Sequence, residues 1–217
     1  MLRRALSALL LGTSLGLAAL TGPAVAQSAS VPPPDIAARS WFLFDVTTNT
    51  VLYSQTPDER VEPASLTKLM TAYVVFEALR DGTLKPDARP PVSNRAYKSA
   101  GSRMFVDPRS PATVDELLHG LIIQSGNDAA IILAEAVAGS EEQFAEQMNA
   151  EARRLGMKNS HFVNASGLPA PDHYSSARDM AVLATRIIKE FPQYYRLYSE
   201  REYTFNGVRQ PNRNRLL

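Results

Sequence analysis

The chain has no cysteine, so no disulfide contributes to its stability. That fits an oxidising compartment without requiring one, because a protein with a sufficient core needs no cross-link. It also lacks a charge imbalance. A formal net charge of +1 leaves no electrostatic footprint for nucleic acid, and the basic clusters at Arg153-Arg154 and between Arg209 and Arg215 read as solvated faces. His119, His161 and His173 have no metal-ligand spacing and no H-E-x-x-H pattern, so each reads as structural or surface. No G-x-S-x-G elbow is present, which ranks a Ser-His-Asp triad on Ser65 or Ser166 low. No internal repeat is evident.

What is present is the composition of a folded globular protein, 217 residues of which 45% are hydrophobic and 21% charged. That is enough for one domain with a sizeable core. The N-terminus stands apart. Arg3 and Arg4 precede an apolar run from Ala5 to Leu20, and Ala24-Val25-Ala26 is an A-x-A cleavage site. Gly12, Thr13 and Ser14 interrupt the run and no stop-transfer pattern follows, so residues 1–26 read as a secretory signal, not a membrane span. Cleavage would remove two positive charges, taking +1 to −1, and leave an exported chain beginning at Gln27. Residues 27–37, with Pro32 to Pro34, are expected to be an extended leader before a domain over 38–217.

Along that domain, Trp41–Asp45 and Val51–Ser54 flank a turn-like Thr47–Thr50 and predict a β-hairpin. A helix is expected to run to Arg80 from about Pro63, which suits its first turn, with apolar positions Leu66, Leu69, Met70, Tyr73 and Val74 on one face. Residues 93–110 show little periodicity. Thr113 and Glu116 form a capping box for a helix that must break at Ser125-Gly126-Asn127, where Asn127-Asp128 can cap the next. Ala129 to Val137 is apolar nearly all round, the pattern of a buried central helix. Ser140 with Gln143 is a second capping box, for a helix stopping at Gly156, and Ser176 with Asp179 opens another. Asn206-Gly207 predicts a hairpin turn.

The chemistry is expected around Ser65 and Lys68, neighbours one helical turn apart. A serine hydroxyl is a poor nucleophile until a base takes its proton, and burial lowers a lysine pKa towards that role. The helix start also leaves backbone N–H groups free to meet developing negative charge. On its own, S-x-x-K is a weak signal. Ser125-Gly126-Asn127 strengthens it, because a break between two helices aims a hydroxyl and an amide towards a cleft.

Pro63 to Ala72 and Ser125 to Ala129, with Phe162-Val163-Asn164, Gly167-Leu168 and Ser176–Met180, resemble the serine D-alanyl-D-alanine carboxypeptidases, the low-molecular-mass penicillin-binding proteins. The resemblance runs from about Trp41 to the end. It implies an α+β, β-lactamase/transpeptidase-like fold: an antiparallel sheet flanked by helices, with a mostly helical subdomain. It also implies that Ser65 attacks the carbonyl between the last two D-alanines of a peptidoglycan stem peptide. Lys68 is then the base, Ser125 relays a proton to the leaving amine and Asn127 holds substrate amides. A β-lactam would trap Ser65 covalently, no metal or cofactor would be needed, and the setting would be the bacterial periplasm or envelope. The family's K-T-G motif does not occur in the sequence. The expectation is therefore a chain cut short of that motif, of the remaining sheet strands and of the C-terminal membrane anchor common in this branch, and weakly active or inactive alone. The alternatives are a β-lactamase of the same fold, for which Glu146 is the nearest candidate deacylation base, and a fragment that binds peptidoglycan or β-lactam without turnover.

Overall fold

The computed structural model describes residues 32, 33 and 35–217, and the architecture below is that of the unit Ile36–Leu217. The expected signal segment and most of the leader lie outside the described residues. β1 (Trp41–Asp45) and β2 (Thr50–Gln55) pair antiparallel, as the hairpin pattern predicts, with a register irregularity between Leu43 and Phe44. A second antiparallel hairpin, β3 (Glu202–Phe205) and β4 (Val208–Pro211), turns at Asn206-Gly207. Both turn residues have positive φ, 47° and 76°, the geometry of the two-residue turn that Asn-Gly favours.

Between the hairpins lies a helical body. α1 (Thr67–Arg80) is its axis and packs against α3 (Val114–Ile122), α4 (Asn127–Ala138), α5 (Glu141–Leu155) and α6 (Ala177–Glu190). The sequence pattern suggested one apolar face on α1. In the fold ten of its fourteen residues are buried, Thr67, Lys68 and Thr71 among them, because helices cover it on several sides. Leu66, expected to face inward, is instead 54% exposed. α4 is buried from Asn127 to Ala134, as its unbroken apolar run implies, and Gly139 ends it with a left-handed φ of 83°.

The caps are mostly those read from the sequence. Thr113 and Glu116 make both reciprocal bonds of a capping box, and Ser176 accepts from the Asp179 N–H. Ser140 accepts from the Gln143 N–H, but no reciprocal bond from Gln143 completes the box. A short α2 (Asn94–Tyr97), capped by Ser93, and a short α7 (Pro192–Tyr195), continued by a 3-10 turn over Arg196–Ser199, were not evident from periodicity. Elements of four residues are too short to show a period. Midway along α1 the buried Tyr73 hydroxyl donates to Glu190 at 2.7 Å and accepts from Arg154 at 2.8 Å, locking α1, α5 and α6 together.

Candidate active site

Ser65 does not lie inside α1. It sits in a 3-10 turn, Ala64–Leu66, that leads into the helix at Thr67. The Leu66 and Thr67 N–H groups are consumed within this turn, by Pro63 O and by Ala64 O and Ser65 O, so they are not the free donors that a helix start suggests. The turn lifts Ser65 into solvent while Lys68, three residues on, is 5% exposed. Lys68 Nζ reaches Ser65 Oγ at 3.2 Å and donates to the Ser166 carbonyl at 2.7 Å. Burial lowers its pKa to about 8, against an opposing pull from the Asp128 carboxylate. A fraction of the amine is therefore neutral near pH 7, with its lone pair beside an exposed hydroxyl.

The Ser166 carbonyl is delivered by the loop 163–167. Asn164 Oδ1 accepts from Ser166 N and Gly167 N, and Thr71 donates to Ala165 O at 2.6 Å. Gly167 adopts φ 82°, and a Cβ built there would lie 1.8 Å from Ala64 O. The loop therefore presses directly against the turn that presents Ser65, itself strained at Ala64 (φ 46°).

Ser125 approaches from the break between α3 and α4, also in a left-handed conformation (φ 61°). It lines a pocket of about 200 Å³ with Ser65, Lys68, Leu66, Leu69, Ile122 and Tyr198. An adjoining space of about 380 Å³, which again includes Ser65 and Ser125, is bordered by Asn212, Arg213 and Asn214. Arg213 bonds Ser102 Oγ at 2.9 Å and its backbone N–H reaches Ile123 O, tying the strand end to the break.

Neither Asn127 nor Asp128 caps α4; the N-cap is Gly126, with no side-chain bond. Asn127 is buried and outside the residues lining either pocket, its Nδ2 donating to Ala100 O at 2.7 Å. Asp128 turns back to accept from the Met104, Phe105 and Val106 N–H groups at 3.0, 2.8 and 3.2 Å. A Cβ at Gly126 would sit 2.9 Å from Asp128 Oδ1, so the small central residue of Ser-Gly-Asn makes room for this carboxylate. The sequence reading missed Asp128, the Ser166 carbonyl, Tyr198 and Arg213. Only the motif neighbourhood of Asp128 offered a signal. The Tyr198 hydroxyl is buried and has no hydrogen-bond partner among the described residues. Glu146 is exposed on α5 and lines neither pocket. Among the described residues no cluster of three His, Asp or Glu could hold a metal ion.

Residues 26–217 match the D-alanyl-D-alanine carboxypeptidase family. The chain belongs to that family. It is 43% identical to the D-alanyl-D-alanine carboxypeptidase DacC of Escherichia coli over 97% of its own length and 55% of the relative's. Among solved structures it resembles penicillin binding protein 5 from Haemophilus influenzae, with a TM-score of 0.83 and 41% identity over 86% of this chain and 55% of that one. It also resembles penicillin-binding protein D2 from Listeria monocytogenes in its ampicillin-bound form (TM-score 0.77, 28% identity, 86% of this chain and 76% of that one). The fold is thus the β-lactamase/transpeptidase-like one, and the chain spans about half the length of the curated relatives it matches.

Proposed function

We propose that this chain carries the acyl-transfer core of a serine D-alanyl-D-alanine carboxypeptidase. The observation that carries the reading is a buried amine 3.2 Å from an exposed hydroxyl, in a pocket that also contains a second serine. Lys68 Nζ, in its neutral form, takes the Ser65 proton as Ser65 Oγ bonds to the carbonyl carbon of the penultimate D-alanine. The resulting tetrahedral adduct collapses by breaking the C–N bond. Ser125 passes a proton to the departing amine and is reprotonated from the Lys68 ammonium, so free D-alanine leaves and the shortened peptide remains as an ester on Ser65. Water then hydrolyses the ester. Asn127 anchors the 100–102 loop, its Nδ2 donating to Ala100 O and its backbone N–H to Ser102 O. A β-lactam takes the same attack and leaves a slowly hydrolysed acyl group.

The substrate proposed is a peptidoglycan stem peptide, reached in the periplasm or cell envelope after residues 1–26 direct export and are removed. N-terminal sequencing of the exported chain is expected to begin at Gln27, and an intact N-terminus on it would refute the export reading. The decisive experiment is labelling with a fluorescent penicillin. Wild type should take one label and Ser65→Ala none. Label retained at full level in Ser65→Ala would overturn the assignment of the nucleophile.

A further inference from the structure

The segment that delivers the Ser166 carbonyl is held to the start of α1 by a buried histidine that the acyl-transfer scheme does not use. His173 is 4% exposed. Its Nδ1 faces the Val163 N–H at 3.1 Å and its Nε2 faces the Thr67 hydroxyl at 2.8 Å. A backbone N–H can only donate, so Nδ1 must carry the lone pair and the ring proton sits on Nε2, which donates to Thr67 Oγ1. Thr67 is the residue before Lys68 and two after Ser65. Its hydroxyl also lies against the loop itself, since a Cβ on Gly167 would be 2.8 Å from it. One imidazole therefore spans the entry to the loop and the turn that presents the nucleophile. Phe162 packs edge-on against the ring at 5.8 Å, and the His161–Tyr174 bridge closes the segment beside it.

We propose that His173 is a positioning residue: by bridging the Val163 N–H and the Thr67 hydroxyl it keeps the Ser166 carbonyl on Lys68, and so keeps the amine buried beside Ser65. This rests on Ser65 and Lys68 being the acyl-transfer pair. The bridge requires the neutral ring, because an imidazolium has no lone pair for Val163. Burial, reinforced by His161, lowers the His173 pKa and so favours that neutral form. Of the ionisable groups at this junction, His161 acts on the ring itself, Lys68 bonds the Ser166 carbonyl, Glu141 on α5 accepts the Ala165 N–H and Asp179 on α6 accepts from Ser160.

The test compares the full chain with His173→Phe, which keeps a ring but neither bond, His173→Gln, whose amide keeps a donor and an acceptor, and Thr67→Val. Two quantities are followed from about pH 6 to about pH 10: the rate of Ser65 acylation by a fluorescent penicillin, and the titration midpoint of the Lys68 side chain by NMR. His173→Phe should slow acylation about tenfold and move the midpoint upward from near 8 towards an ordinary lysine, because water reaches the amine. Thr67→Val should shift both in the same direction, and His173→Gln should restore most of the loss. The inference is overturned if His173→Phe keeps the wild-type rate and midpoint. It is equally overturned if all three variants, His173→Gln included, lose rate only in step with their melting temperature while the midpoint stays fixed. Should His173→Phe not fold, the opposite behaviour of His173→Gln and Thr67→Val decides the matter. A wild-type chain that takes no label sinks the proposed function, while the Lys68 midpoint still reports on His173 independently.

Discussion

The two walls of the cleft are built on different principles. The wall carrying Ser65 is tied to its supporting loop by groups that are neutral or share their charge. Thr71 bonds Ala165 O, Lys68 bonds Ser166 O and His173 bridges Val163 to Thr67. The Glu141 carboxylate that receives the Ala165 N–H is paired with Arg95. The wall carrying Ser125 hangs on Asp128, whose carboxylate gathers three backbone N–H groups of the 104–106 loop and makes no salt bridge among the described residues. The difference follows from what each wall must do. A carboxylate against Lys68 would raise its pKa and hold it as an ammonium, unfit as a base. The Ser125 wall holds no base, so a buried charge satisfied by backbone dipoles can organise it, and its upward pull on Lys68 stays smaller than the effect of burial.

Asp128→Ala should break that contrast most severely. It leaves three buried or half-buried N–H groups without an acceptor, and urea denaturation is expected to show a loss of about 4 kcal/mol. A loss below about 1 kcal/mol would mean that water replaces the carboxylate and the loop is not built on it. Gly167→Ala strikes the other wall by sterics alone. With φ at 82° and a Cβ position overlapping Ala64 O, it should cost about 3 kcal/mol and displace Ser65, lowering penicillin labelling even where the protein stays folded. Unchanged labelling would show that the loop does not set the position of the nucleophile.

Smaller effects sharpen the comparison. Thr71→Val removes a neutral tie of 2.6 Å and should cost about 1 kcal/mol. Lys68 carries the sign test. Its folded pKa, about 8, lies below the usual lysine value, so the folded state resists protonating it. Acylation should rise with pH through about 8, and stability should rise as pH climbs from about 8 towards about 10.5, where the unfolded chain still binds the proton. Lys68→Met should abolish labelling while raising stability at neutral pH by about 1 kcal/mol, the expected cost of keeping a buried amine for chemistry. A destabilised Lys68→Met would mean that the bond to Ser166 O outweighs the burial penalty.

Much of this was open to reading in the chain. Caps such as Thr113 with Glu116 and Ser176 with Asp179 join residues three apart, and the Asn206-Gly207 turn depends on its own two residues. Burial of α4 could be read from an unbroken apolar run. Ser65 was harder, because the same residues suit an α-helix or a 3-10 turn, and contact with Gly167, about a hundred residues away, accompanies the turn found here. His173 looked like an unremarkable structural histidine because no local pattern records what its ring will meet.

By itself the sequence determined the long helices, most of their caps, the two hairpins and the three-residue spacing that puts an amine within reach of a hydroxyl. The tertiary structure alone decided that the amine is buried and its pKa lowered, that Ser125 shares its pocket, and that the Ser166 carbonyl and His173 hold the arrangement. The physical reason is one of range. Capping and turn energies act over a few residues, whereas desolvation and a shared cavity depend on segments that meet only when the chain is packed.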